Sequence, residues 1–83
     1  MISIYGNSVC KWCREAKKLA EDYALQYEWI DLDFDENLNR FKINFPNARS
    51  IPQIMWDNRH IGGYDDFLKE IESTIGGYGQ GKI

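Results

Sequence analysis

Ile2-Ser3-Ile4-Tyr5-Gly6-Asn7-Ser8-Val9-Cys10-Lys11-Trp12-Cys13 is the stretch on which the fold turns. Ile2 to Tyr5 is a run of β-branched and aromatic residues, and Gly6-Asn7-Ser8 supplies turn chemistry directly after it. The stretch therefore predicts a first strand that delivers the chain to Cys10. From Lys11 to about Leu25 the residues Trp12, Ala16, Leu19, Ala20 and Tyr23 recur near the helical spacing of three and four. Arg14, Glu15, Lys17, Lys18, Glu21 and Asp22 fill the other side. One amphipathic helix is predicted, with both cysteines at its start. Its Lys17/Glu21 and Lys18/Asp22 pairs would add only a few tenths of a kcal/mol each, so burial of the apolar stripe must carry the helix.

Tyr27-Glu28-Trp29-Ile30-Asp31-Leu32 alternates large apolar with acidic residues, the period of a strand with one wetter face. Asp33 or Asp35 is placed to cap a helix from about Glu36 to Asn44, where Leu38, Phe41 and Phe45 are three and four apart and Pro46 stops the segment. After the loop Asn47-Ala48-Arg49-Ser50, the chain resumes an extended apolar run over Ile51-Pro52-Gln53-Ile54-Met55-Trp56. Asp57-Asn58-Arg59 turns it into His60-Ile61, a hairpin. Gly62-Gly63 breaks the chain again. Phe67, Leu68, Ile71 and Ile75 then mark a helix from Tyr64 to Ile75 with Asp65 or Asp66 in its first turn. Residues 76–83 carry three further glycines after Gly76 and read as a flexible tail.

The order is β-α-β-α-β-β-α. A strand, helix, strand unit implies a parallel pair with a right-handed crossover, and the hairpin adds antiparallel strands. The fold class is α/β, a mixed four-stranded sheet flanked by three helices. With 83 residues the chain suits one domain, expected to bury about 64% of its unfolded surface. A hydrophobic fraction of 43% excludes a disordered chain, and no apolar run approaches the roughly 20 residues of a membrane helix. The opening residues lack a basic region followed by a long apolar one, so a cytoplasmic protein with no membrane partner is expected. Net charge is −3 and the ten basic residues are scattered, which argues against a nucleic-acid partner.

Cys10 and Cys13 are the only cysteines, with two residues between them, at the start of the first helix. There the Cys10 sulfur lies beside unpaired backbone N–H groups and the positive end of the helix dipole, with Lys11 adding a cation; all three favour a thiolate. A structural disulfide is the plainer alternative, but a loop of about four residues would contribute only about 2 kcal/mol. Zinc is another, yet tetrahedral zinc wants four ligands and the only histidine, His60, falls in the hairpin. Redox chemistry by a dithiol is the expected role, with no metal site, and His60 reads as an ordinary hairpin residue. Two loops add to this. Ser50-Ile51-Pro52 reads either as a trans proline opening an edge strand, the commoner case, or as a cis proline that turns the Ile51 backbone outward. Gly62-Gly63-Tyr64-Asp65-Asp66 reads either as a hairpin exit with an Asp cap or as a place where a ligand meets backbone and a helix N-terminus.

Taken together, Cys10-Lys11-Trp12-Cys13, Ser50-Ile51-Pro52-Gln53-Ile54 and His60-Ile61-Gly62-Gly63-Tyr64-Asp65-Asp66-Phe67 resemble the small dithiol glutaredoxins, of thioredoxin-like fold, from Ile2 to about Ile75. The resemblance implies a glutaredoxin domain over residues 1–75, a cis Pro52, and a glutathione-dependent thiol-disulfide oxidoreductase acting as a monomer. It implies Cys10 as the nucleophile and Cys13 as the resolving cysteine. It further implies that Lys11, Trp12, Ser50, Ile51, Pro52, Gly63, Tyr64 and Asp65 contact glutathione, the γ-glutamyl end lying on Gly63, Tyr64 and Asp65. Protein disulfides and glutathione mixed disulfides are the implied substrates, ribonucleotide reductase among the candidate partners. A redoxin fed by thioredoxin reductase and a carrier of a glutathione-ligated cluster (2Fe-2S) are the alternatives. Two departures from the family pattern stand out: Lys11 replaces a common proline, and Asn7 replaces a common cation for the glutathione glycine carboxylate, for which Lys11, Arg49 or Arg40 are the substitutes.

Overall fold

A computed structural model describes residues 1–75; the tail read above as flexible, 76–83, lies outside the described residues. The seven elements follow the expected order: β1 (Ile2–Gly6), α1 (Lys11–Asp22), β2 (Tyr27–Asp31), α2 (Asp35–Asn44), β3 (Gln53–Trp56), β4 (Arg59–Gly62) and α3 (Tyr64–Ile75). The strands form one sheet in the order β2-β1-β3-β4. β1 pairs parallel with β2 from Ile2↔Tyr27 to Gly6↔Asp31 and antiparallel with β3 from Ile2↔Trp56 to Tyr5↔Gln53. β1 is thus central, and its C-terminal end carries the chain to Cys10.

Alternation along the strands divides the core in two. On one face Ile2, Ile4 and Ile54 pack with Ala16, Leu19 and Ala20 of α1 and with Phe67 and Ile71 of α3. On the other face Tyr5, Ile30 and Phe45 form a smaller cluster, with Phe41 and Leu32 against it. Two helices therefore cover one face and α2 alone the other. The large cavity on the α2 face, about 630 Å³, is lined by polar groups including Ser3, Glu28, Arg40 and His60 and by neither cysteine.

Several boundaries differ from the sequence reading. α1 stops at Asp22 instead of near Leu25, because Ala24 turns into the left-handed region at φ 56°. Leu25 N–H then donates to the Ala20 carbonyl at 2.9 Å and Ala24 N–H to the Glu21 carbonyl at 3.0 Å, a Schellman closure. An alanine stands where such closures usually place glycine. The cap of α2 is Phe34, with no side-chain bond, not Asp33 or Asp35; Asp35 and Glu36 instead sit in the first turn, where their charge favours the helix dipole. The hairpin turn is two residues, Asp57 (φ 50°) and Asn58 (φ 72°), and Arg59 already belongs to β4. β3 begins at Gln53, two residues later than the apolar run suggested. Lys17 does not pair with Glu21: it lies over the Trp29 ring at 4.5 Å, while Glu21 accepts from the Tyr27 hydroxyl at 2.5 Å.

The left-handed alanine yields a stability prediction. An L-residue in this region costs about 1–2 kcal/mol that glycine avoids, offset by glycine's larger unfolded-state entropy. Ala24→Gly is expected to stabilise the fold by about 0.5–1 kcal/mol in urea denaturation; a destabilisation would show that α1 continues past Tyr23 in solution.

Candidate active site

The turn Gly6-Asn7-Ser8 ends with Cys10 as the cap of α1, its backbone extended (φ −82°, ψ 121°). From there its Sγ accepts the Cys13 backbone N–H at 3.2 Å, as a serine or aspartate oxygen would at an ordinary cap. Asn7 fixes the approach: its Oδ1 accepts the Cys10 N–H at 3.0 Å. The Cys10 thiol faces the carbonyl oxygen of Ile51 at 3.8 Å. Cys10 is half-buried and Cys13 fully buried, and both are free thiols.

Burial first, and then hydrogen bonding with the Cys10 side chain, pushes the Cys13 thiol up to about 12. At neutral pH Cys13 is therefore a neutral thiol one turn beneath an accessible sulfur held at a helix N-terminus, the electropositive setting in which cysteines act as nucleophiles. Room for the Cys13 sulfur comes from Gly6. A Cβ on Gly6 would overlap Cys13 Sγ and stand 3.2 Å from Trp29 Cη2. Sequence reading took Gly6 only as turn chemistry; the signal for its second role is its place as the last residue of a buried strand facing a helix that starts with cysteine.

Beside Cys10 lies an open cavity of about 420 Å³ lined by Trp12, Ser50, Ile51, Pro52, Gly63, Tyr64, Asp65 and Asp66. Seven of the eight residues that the family resemblance assigned to glutathione thus share one groove. Lys11 is the one that does not line it; its ammonium sits over the Trp12 ring at 5.1 Å. Trp12, 49% exposed, in turn meets the Tyr64 ring at 5.1 Å, closing the groove on the helix side. Burial, and then the charges of Glu15, Asp65 and Asp22, raise the Tyr64 hydroxyl above its ordinary value, so it stays protonated. Opposite, the Ile51-Pro52 bond is cis and the β1–β3 ladder ends at Gln53, leaving the Ile51 backbone outside the sheet.

The two glycines of the groove have different causes. Gly62 has φ +121°, and a Cβ there would overlap the Asp66 carboxylate, so its glycine serves the turn into α3. A Cβ on Gly63 would meet only the Pro52 carbonyl oxygen at 3.7 Å, an ordinary contact, so the fold itself has space for a side chain there. On the other side of Ser50-Ile51 a second groove of about 390 Å³ is lined by Asn7, Leu32, Leu38, Phe41, Ala48 and Arg49. Of the suggested substitute cations, Arg49 lies in this groove and Arg40 lines the cavity on the α2 face of the sheet. No cluster of three or more metal-ligating side chains is found among the described residues, and no described helix is long and apolar enough to cross a membrane.

The glutaredoxin family model matches residues 2–61. The chain belongs to the glutaredoxin family. Glutaredoxin 1 of Rickettsia bellii is 39% identical over 69 residues, covering 78% of this chain and 70% of that one. Reduced Escherichia coli glutaredoxin superposes with a TM-score of 0.72 at 31% identity, over 90% of this chain and 96% of that one. A buckwheat glutaredoxin in complex with glutathione has a TM-score of 0.70 at 23% identity, covering 87% of this chain and 67% of that one, a likeness of fold. With a Cys-x-x-Cys pair held as described, this glutaredoxin is a thiol-disulfide oxidoreductase.

The asymmetry of the two thiols predicts their labelling. Burial pushes the Cys13 thiol up to about 12, so at pH 8 it stays protonated. Brief treatment of the reduced protein with iodoacetamide is expected to modify Cys10 alone, as read by peptide mass spectrometry, with Cys13 reacting only as the pH rises toward 12. Comparable labelling of both at pH 8 would contradict the buried, neutral Cys13.

Proposed function

We propose that this glutaredoxin takes its electrons from glutathione and reduces glutathione mixed disulfides and protein disulfides. The observation that carries the reading is the groove beside Cys10, in which a free backbone edge at Ile51, an aromatic wall at Trp12 and Tyr64, and the start of α3 at Gly63 face one another across a space of tripeptide size. An extended cysteinyl peptide suits the Ile51 backbone. The N-terminus of α3 offers N–H groups to an α-carboxylate, and the Asp65 carboxylate an acceptor to its α-ammonium, the pair of charges at a γ-glutamyl end. Arg49, in the groove next to Asn7, supplies a cation for the glycine carboxylate. The absence of a side chain at Gly63, which the fold does not require, supports a ligand lying close against the backbone there.

The reaction follows from the thiols. The Cys10 thiolate attacks the sulfur of a disulfide; one S–S bond forms and another breaks, expelling the substrate thiolate, which takes up a proton. From the resulting mixed disulfide, either Cys13 attacks Cys10 Sγ to close the internal disulfide or a glutathione thiolate releases Cys10 directly. One glutathione thiolate opens the internal disulfide, bonding to Cys10 as Cys13 leaves and takes up a proton, and a second releases Cys10 and departs as glutathione disulfide; where the substrate is itself a glutathione mixed disulfide, its own glutathione is the first of the two. Cys13, held neutral by burial, becomes the nucleophile only as it loses its proton, which keeps it from competing for the first attack. Ribonucleotide reductase is among the protein disulfides this monomer would serve. The alternative role, a cluster (2Fe-2S) carrier, would use Cys10 of two chains and two glutathione thiolates, since Cys13 is fully buried. On the dithiol reading, anaerobic reconstitution is expected to leave a colourless monomer; a brown protein would favour the carrier.

A coupled assay with glutathione, glutathione reductase and a small mixed disulfide tests the reading. Turnover is expected for the wild type and loss to background for Cys10→Ser. Gly63→Ala is expected to raise the KM for the glutathione mixed disulfide about tenfold, equivalent to ~1.4 kcal/mol, with the melting temperature nearly unchanged. Turnover driven by thioredoxin reductase and indifferent to glutathione would overturn the assignment in favour of a redoxin.

A further inference from the structure

Gln53 is the polar side chain buried in the described core, 8% exposed, and both ends of its amide are engaged. Its Nε2 donates to the Ser50 carbonyl oxygen at 3.0 Å, and its Oε1 lies 2.7 Å from Nε2 of His60. A carbonyl only accepts, so the end facing Ser50 is the NH₂ and the end facing His60 is the oxygen. His60 Nε2 therefore carries a proton and donates, whatever the charge of the ring. The ring is itself held against Phe45, centroids 4.7 Å apart. Sequence reading took His60 as a hairpin residue without a task and passed over Gln53.

The placement of this chain of bonds matters for the active site. The β1–β3 ladder ends at Tyr5↔Gln53, so no strand partner fixes the residues immediately before Gln53. Ser50 carbonyl is tied down by the Gln53 side chain instead. The next residue is Ile51, whose carbonyl oxygen stands 3.8 Å from Cys10 Sγ and whose backbone forms one wall of the groove. We infer that Gln53 is a positioning residue for disulfide exchange. Its amide, oriented by His60 and bonded to Ser50, holds the Ser50–Pro52 wall at the separation from Cys10 that an incoming disulfide requires. Gln53 touches neither sulfur, and its influence reaches the reaction through the loop. The inference rests on the reading of Ile51 as the substrate's backbone partner.

Two variants separate this role from a purely structural one. Gln53→Met keeps the length and removes both bonds; Gln53→Glu keeps the shape and the His60 contact but repels the Ser50 carbonyl. For each, KM for the mixed disulfide is expected to rise about tenfold with kcat within about twofold. Iodoacetamide alkylation of Cys10 is expected to stay within about twofold of wild type, because the Cys13 and Asn7 bonds that hold Cys10 are untouched. His60→Ala, which leaves the bond to Ser50 in place, is expected to raise KM only about two- to threefold. A folded Gln53 variant with wild-type KM, or alkylation and turnover falling together, would overturn the inference. An independent reading needs no variant. In the ¹⁵N-labelled wild type the Gln53 side-chain amide protons are expected to exchange about a hundredfold more slowly than those of free glutamine, with His60 protonated on Nε2. Exchange at the free rate would equally overturn it. If the wild type fails to turn over a glutathione mixed disulfide, the glutathione reading is lost, and the same KM comparison on a cystine-containing peptide decides the role of Gln53.

Discussion

One contact organises the active end of the molecule: the backbone N–H of Cys13 donating to the sulfur of Cys10 across the first turn of α1. It requires Cys10 to occupy a cap position with extended backbone, so the chain must leave β1, turn and enter the helix within four residues. It also requires Cys13 to point inward. That is possible because β1 ends in a residue without a side chain, and the Cys13 sulfur occupies the space a methyl on Gly6 would fill. The same geometry gives the two thiols different fates. One is accessible and electropositively placed; the other is buried and held protonated.

The sheet supplies the rest. β1 is flanked by β2 and β3, and the last residues of β1 and β4 and the first of β3 lie together at one end of the strands, where α1 and α3 begin. Nearly all of the apolar packing of α1 and α3 falls on one face, which fixes the two helix starts relative to each other and sets the width of the groove between Trp12 and Tyr64. On the opposite wall the loop before β3 lies beyond the ladder and is held by the Gln53 side chain through its bond to the Ser50 carbonyl. The groove thus has one side built on helices and one on a loop with a buried amide behind it. A thiol fixed at a helix start and facing a loop held by few bonds suits thiol-disulfide exchange.

Much of this was legible from the residues. The alternation of Tyr27 to Asp31, the Phe67, Leu68, Ile71 spacing, and the cysteine pair after a strand gave the element order, the sheet and the place of both thiols at the start of α1, because period and burial are strongly coupled over such stretches. The end of α1 was not legible, since the alanine that closes it carries no stop signal and takes a left-handed backbone that glycine usually supplies. The α2 cap was misread because two aspartates flank Phe34 and only the position of Phe41 and Phe45 on the sheet decides the helix phase. Cis and trans Pro52 differ by too little energy for local sequence to choose between them; the family resemblance favoured cis, and the bond is cis. The partnership of Gln53 with His60 joins two strands across a hairpin, and nothing in either residue alone announces it.

The most direct test of the account is to mix the reduced protein with glutathione disulfide, quench with acid at successive times, and map the adduct by peptide mass spectrometry. The account predicts that glutathione appears first on Cys10 and only there, and that this adduct then gives way to a Cys10–Cys13 disulfide. Glutathione on Cys13, or an internal disulfide formed with no Cys10 adduct before it, would contradict the division of labour between the two thiols.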